Sequence, residues 1–198
     1  QVPIDDTKFS LAALKIKDLA STLCAQGLFH PTYFEFLFYT AIEAFADAKV
    51  DYCILETGLG GRLDITNAIS SPKLTIITSI SLDHMQYLGE TIEEIAKEKA
   101  GIIKPLVPLV FDDQCPAASK VIEKTASSYG IQTFALTEKK EVYFPLLPFF
   151  NADYKKDNAI LSMMAMQLLC PSFSLESQLA SLKKVQWKGR MQEIMADI

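Results

Sequence analysis

Short apolar runs that alternate with helix-length amphipathic segments constrain this chain more than any other feature. Tyr52-Cys53-Ile54-Leu55 ends in Glu56 and a glycine cluster, and the β-branched run Leu74 to Ile80 ends in Ser81-Leu82-Asp83-His84. Both read as parallel strands buried on two faces. Val107 to Phe111 and Ile131 to Ala135 read as two more strands, and Glu141-Val142-Tyr143-Phe144 as an edge strand before Pro145. Between them lie helical patterns. Phe9 to Ala25 carries Leu11, Leu14, Leu19 and Leu23 at helical spacing. Thr32 and Glu35 form a capping box ahead of Phe34, Leu37, Phe38, Ile42 and Phe45. Further helices are expected from about Thr91 to Ile103, stopped by Pro105, and from Ala117 to Tyr129, ended by Gly130. Tyr154 to Leu169 and Leu175 to Val185 complete the set. Strands alternating with helices of this length specify an α/β fold, a mostly parallel sheet with helices on both faces.

A chain of 198 residues is long enough to bury one sizeable core, which argues for one domain. The net charge of -5 comes with no cluster of Lys and Arg, which excludes a nucleic-acid partner of the backbone-tracking kind. An acidic substrate stays compatible with it, because a local cation or bound metal opposes the mean charge. The four cysteines are scattered, with no CxxC pair, so reduced thiols and a cytoplasmic location are expected, with Cys53 as a small core residue. No apolar run reaches the roughly 18 residues of a membrane span, and no membrane partner is expected. The start at Gln1 has no signal-peptide character and no initiating Met, which suggests that something upstream was removed.

In open parallel sheets, ligands bind beyond the carboxyl ends of the strands. The two best strands each deliver polar groups there: Glu56, and the pair Asp83-His84. Taken singly, Glu56 reads as a solvated loop carboxylate and His84 as a hydrogen-bonded turn histidine. Together they form a carboxylate-imidazole pair with open positions, suited to Mg²⁺ or Mn²⁺ carrying nucleotide phosphates rather than to a closed zinc site. Periodicity adds a third residue. The apolar stripe Ile92, Ile95, Ile102 is continued by Lys99, which therefore faces inward while Glu93, Glu94, Lys97 and Glu98 face out. Desolvation would make the Lys99 amine nucleophilic or able to take up carbon dioxide as a carbamate; the plainer reading is a snorkelling lysine. The glycines of Thr57 to Asn67 either admit a ligand close to the backbone or only make a tight turn. No GxxxxGK[ST] phosphate loop occurs anywhere in the chain.

Three long motifs in order resemble folylpolyglutamate and dihydrofolate synthases of the Mur ligase superfamily. They are Glu56-Thr57-Gly58-Leu59-Gly60-Gly61-Arg62-Leu63-Asp64-Ile65-Thr66-Asn67, then Ser81-Leu82-Asp83-His84 with Leu88-Gly89-Glu90-Thr91, then Ile95-Ala96-Lys97-Glu98-Lys99-Ala100-Gly101-Ile102. The match is densest from Thr32 to Lys104. Looser support reaches from Val2 to Trp187-Lys188-Gly189-Arg190. The resemblance implies a P-loop-type α/β central ATP-binding domain over residues 1–198, cut before its phosphate loop and lacking the C-terminal domain. It implies Glu56, His84 and Lys99 as the metal and catalytic set, with Lys99 carbamylated, and Asn158 and Arg190 on the nucleotide side. ATP and Mg²⁺ would serve a reaction joining L-glutamate to a folate, dihydropteroate or tetrahydrofolate, through an acyl phosphate. Near Asn158 the chain departs from the family, with Ala152 and Lys155 where a glycine and a glutamine are usual. The isolated 198 residues are expected to be inactive. Another Mur-type ligase and a non-catalytic α/β binding module are the competing readings.

Overall fold

A computed structural model describes residues 2–185. Its backbone contacts group into two compact units, Gln1–Leu59 with Asp64–Ala68, and Gly60–Leu63 with Ile69–Ile198.

The first unit is built on two packed helices, α1 (Asp6–Ala25) and α2 (Tyr33–Ala48). Asp5 caps α1 by accepting the N–H groups of Thr7 and Lys8, which satisfies donors that have no intrahelical partner. The expected Thr32–Glu35 capping box opens α2. The buried stripe of α1 is Ala12, Ile16 and Ala20, whereas Leu11, Leu14 and Leu19 are more than half exposed. The leucine stripe is thus not the packing face; Ala12 and Ala20, one turn to either side of Ile16, are the small residues that let the helices approach. Across this pair Lys15 Nζ donates to Glu43 and Asp47 at 2.8 and 2.9 Å, contacts that push its pKa up to about 12. Tyr52 to Leu55 is not a strand: it joins no ladder among the described residues, with Ile54 93% exposed and Cys53 also exposed. An apolar run becomes a strand only when a neighbour takes its backbone polar groups.

The second unit holds a parallel sheet of β1 (Thr75–Ile77), β2 (Leu109–Phe111) and β3 (Thr133–Ala135), in that order. Its register pairs Ile76 with Val110 and Val110 with Phe134. Among the described residues the helices around it are α4 (Ile92–Ala100), α5 (Pro116–Tyr129), α6 (Thr137–Tyr143), α7 (Asp153–Leu169) and α8 (Leu175–Leu182), with the short α3 (Met85–Leu88) ahead of α4. The alternation of strand side chains decides which helix packs where. Leu109 and Phe111 point into a cluster with Ile95, Ala96 and Ala100 of α4 and Ala118, Ile122 and Ala126 of α5. Val110 points the other way, into Leu136, Tyr143, Leu147 and the α7 residues Ile160, Leu161 and Met164. Helices therefore cover both faces, as the sequence requires. Gly130 ends α5 in the left-handed conformation at φ 61°, where a Cβ is disfavoured.

Glu141 to Phe144 is not an edge strand: Glu141 to Tyr143 end α6, and Phe144 opens the 3₁₀ turn that follows. Leu136, Tyr143 and Leu147 are all buried in one cluster. That spacing suits a helix face and not the two-residue period of a strand. Asp113 helps to start the helix by accepting the backbone N–H and the hydroxyl of Thr137.

Candidate functional site

The glycine-rich motif is divided between the two units. In the first, Asp64 gathers the loop around one carboxylate: Oδ2 accepts the N–H groups of Gly58 and Leu59 at 3.0 and 3.1 Å, and Oδ1 accepts the N–H and hydroxyl of Thr66 at 2.9 and 2.6 Å. Burial opposes its ionisation, but these four donors outweigh burial and hold the Asp64 pKa below the ordinary carboxylate value. Glu56, the carboxylate expected to hold a metal, lies just before this loop and is exposed.

In the second unit, Gly60 to Leu63 lies against α4. Arg62 N–H donates to the Glu98 carbonyl at 2.9 Å, and the Arg62 guanidinium pairs with the Glu98 carboxylate at 3.1 Å. A Cβ on Gly61 would stand 2.9 Å from the Glu98 carbonyl oxygen and 2.9 Å from Ile102 Cγ2. This glycine therefore allows close approach of loop to helix, which resolves one ambiguity of the motif in favour of packing. The clamped helix, opened by a Thr91–Glu94 capping box, is the one that carries Lys99.

Lys99 is half-buried between buried Ala96 and Ala100, while Lys97 is exposed. No described residue supplies its ammonium with a counter-ion or hydrogen-bond partner. His84 lies beyond the carboxyl end of β1 as the N-cap of α3, with φ 50° and ψ 35°. A left-handed conformation costs a residue bearing a Cβ on the order of 1–2 kcal/mol, and such strain concentrates at ligand sites. Asp83 Oδ1 accepts the His84 N–H at 2.8 Å, and Asp83 Oδ2 lies 3.8 Å from His84 Nε2. The ring itself is exposed.

Among the described residues, no three of His, Cys, Asp and Glu cluster as a closed metal site would require. Glu56 is an exposed carboxylate and His84 an exposed imidazole, and each by its chemistry is a donor that a divalent ion keeping positions for water and phosphate accepts. Glu56 belongs to the first unit, and His84 and Lys99 to the second.

A separate cleft of about 210 Å³ opens beyond the carboxyl ends of β1 and β2. Ser79 and Ile80 follow β1, Asp112, Gln114 and Cys115 follow β2, and Tyr154, Asp157 and Asn158 come from α7. Asn158 therefore lines the crevice where parallel sheets bind ligands. Lys155, which stands where the resembled family has glutamine, donates instead to Asn151 one turn back at 3.0 Å. Arg190 lies outside the described residues. Sequence reasoning missed Asp112 and Gln114, although they follow an apolar strand as Asp83 and His84 do. Lys140 and Asp157, which pair behind them at 2.8 Å, carry no local signal.

Residues 28–167 match the Mur ligase middle domain. The chain is 34% identical to the dihydrofolate synthase/folylpolyglutamate synthase of Bacillus subtilis, over 96% of this chain and 50% of that protein. It is 38% identical to the corresponding Haemophilus influenzae protein, over 84% of this chain and 40% of the relative. The folylpolyglutamate synthase structure from Thermotoga maritima superposes with a TM-score of 0.81 at 26% identity, covering 96% of this chain and 48% of that one. E. coli FolC, solved in complex with DHPP and ADP, gives 0.78 at 25% identity, over 98% and 48% of the two chains. The chain spans about half the length of the curated relatives it matches.

Proposed function

The chain belongs to the Mur ligase middle-domain family, and from that membership we propose that it works in an ATP-dependent ligase that adds glutamate to folates. One observation carries the reading. Lys99 is a half-buried residue whose ammonium has no counter-charge among the described residues, on a helix that the glycine motif clamps in place. Charged side chains are rarely withdrawn from water without a partner, so this position suits a lysine whose charge changes in use. Capture of carbon dioxide by its amine would replace the cation with an anionic carbamate.

In this reading Glu56, His84 and the modified Lys99 would hold Mg²⁺, which would offset charge on the phosphoryl group being transferred. The γ-phosphoryl of ATP passes to the folate carboxylate, releasing ADP. The glutamate amine then attacks the acyl phosphate, forming the amide and releasing phosphate. Protein residues contribute chiefly position and electrostatics to such a transfer. His84, fixed by its strained turn and by Asp83, keeps its ring directed to solvent at the rim of the sheet. Asn158 faces the nucleotide, and Arg190 is assigned to the same ligand. The relatives described as dihydrofolate and folylpolyglutamate synthases support folate and L-glutamate as substrates. Cys24, Cys53 and Cys115, which form no disulfide, support a cytoplasmic location.

The test uses the intact protein expressed from its own gene, supplied with ATP, Mg²⁺, glutamate and either dihydropteroate or tetrahydrofolate. Glutamate should be ligated to at least one acceptor with stoichiometric ADP. Lys99→Ala should lower kcat by 100-fold or more, on the order of the loss from one electrostatic group at a transferring centre. The intact-protein mass should include one carbon dioxide that the variant lacks. Ligation by Lys99→Ala at the unmodified rate would refute the role given to this lysine.

A further inference from the structure

The cleft is lined by a buried carboxylate that has no cationic partner among the described residues. Asp112 is 6% exposed. Its Oδ1 accepts Gln114 N–H at 2.9 Å and its Oδ2 accepts Gln114 Nε2–H at 3.3 Å, so among the described residues both bonds come from one neutral residue. A carboxylate has about four lone-pair sites, and buried charges are normally paired. Asp157, 9% exposed, already takes the available ammonium. Lys140 Nζ lies 2.8 Å from its Oδ1 and 3.0 Å from its Oδ2. Lys140 also donates to Gln114 Oε1, and Gln114 Nε2 reaches Asp157 Oδ2 at 2.9 Å. The Gln114 amide is thereby fixed at both ends, and it in turn fixes Asp112.

We propose that Asp112 is a specificity-determining acceptor for the exocyclic amine of an adenine-type base, and that Lys140 is a positioning residue acting through Asp157 and Gln114. This rests on the reading that a nucleotide occupies the cleft, and it assigns which end of it does. Two carboxylates and one ammonium leave the floor net negative, which repels phosphate and favours donors. Ile80 and the Tyr154 ring supply apolar and aromatic walls, which suit a flat heterocycle better than a strongly hydrated ammonium. The volume is below the roughly 300–1,000 Å³ of sites enclosing a whole drug-sized ligand, so it takes one moiety. Asn158 lines the same cleft, and an asparagine amide pairs bidentately with the amine and ring nitrogen of adenine. A 6-oxo base would set lone pairs against the Asp112 carboxylate, leaving a buried charge unsatisfied.

The experiment is NMR titration of the 198-residue chain with adenosine and with purine riboside, which differs only in lacking the amine. Neither nucleoside carries a phosphate. Adenosine should shift the amides of Ser79, Asp112, Gln114 and Asn158 and bind roughly 10- to 100-fold more tightly than purine riboside, the range of one hydrogen bond to a charged group. Asp112→Asn, which places a donor where both oxygens accept, should abolish the preference. Lys140→Met should reduce the adenosine to purine riboside ratio, and Lys140→Arg should restore it, a selectivity readout that general destabilisation does not move. Equal binding of the two nucleosides by the unmodified chain, or no shift at the cleft with either, overturns the proposal without any variant having to fold. A preference that survives in Asp112→Asn also overturns it. Glutamate ligation by the intact protein is scored separately, so either outcome there leaves this result interpretable.

Discussion

Gly101→Ala tests whether the glycine motif serves to seat the loop on the lysine-bearing helix. Gly101 is the C-cap of α4 at φ -61° and ψ -12°, a conformation alanine adopts freely. On backbone grounds alone the substitution should stabilise by about 0.4–1 kcal/mol. The surroundings oppose it. A Cβ there would stand 2.6 Å from Arg62 Cα and 3.0 Å from Arg62 Cγ, with Arg62 Cβ also in contact. Carbon atoms pack best at about 3.5–4.0 Å, so the Arg62 backbone must retreat by about 1 Å. Overpacking of this kind costs about 1–3 kcal/mol. The retreat also strains the bond from Arg62 N–H to the Glu98 carbonyl, worth about 1 kcal/mol. The opposing contributions leave a net loss of about 2 kcal/mol. At about 2–4 °C per kcal/mol for a chain of this size, the thermal midpoint followed by circular dichroism should fall by about 4–8 °C. Hydrogen exchange at the Arg62 amide should quicken. Arg62→Gly in the same chain removes two of the clashing carbons and should recover part of the loss, a coupling expected of residues in contact. An unchanged or raised midpoint with undiminished Arg62 protection would refute the reasoning.

Ile95 of α4 is fully buried against α5 and the sheet, so Ile95→Ala should cost about 2–5 kcal/mol, read as a lower denaturant midpoint; a loss under 1 kcal/mol would mean that this core is not packed as described. Asp64 has a folded pKa below its ordinary value, so its contribution is fully present above the unfolded value of about 3.9 and is lost as pH falls through the folded pKa. Acidification from pH 5 should therefore expose the Gly58, Leu59 and Thr66 amides to exchange as the Asp64 carboxyl signal titrates, and Asp64→Asn should remove that pH dependence. Titration at or above the ordinary carboxylate pKa would contradict the hydrogen-bond count.

What could be read from the sequence was what one element encodes by itself. The Thr32–Glu35 box, the Gly130 stop and the strands around Ile76, Val110 and Phe134 each depend on residues within one turn or one pleat. The leucines of α1 misled because hydrophobicity ranks residues by how much they gain from burial, whereas two close helices are limited by how little room they leave. Ala12 and Ala20 fit that contact, and Leu11 and Leu14 do not. Glu141 to Phe144 misled for another reason. A four-residue window holding Val, Tyr and Phe cannot distinguish periods of two and nearly four, and only Leu136 and Leu147, outside the window, settle it.

The same distinction separates the two sets of candidate site residues. Glu56, His84 and Lys99 come from contiguous motifs and could be named before any coordinates. The cleft floor could not be, because its contacts join Gln114 to Lys140, 26 residues on, and to Asp157, 43 residues on. Each residue alone is an ordinary polar side chain in a loop or on a helix. Burial turns them into a constraint: an ammonium that satisfies Asp157 is unavailable to Asp112, and the shortage is visible only when all four side chains are placed together. A carboxylate left in that state either costs stability or meets a donor from outside the fold. Removing the charge separates the two cases. If Asp112→Asn raises the thermal midpoint and also loses adenosine, the carboxylate is kept at the expense of stability for a ligand, the trade expected of a binding residue. If it lowers the midpoint and leaves nucleoside affinity intact, Asp112 serves the loop after β2 alone.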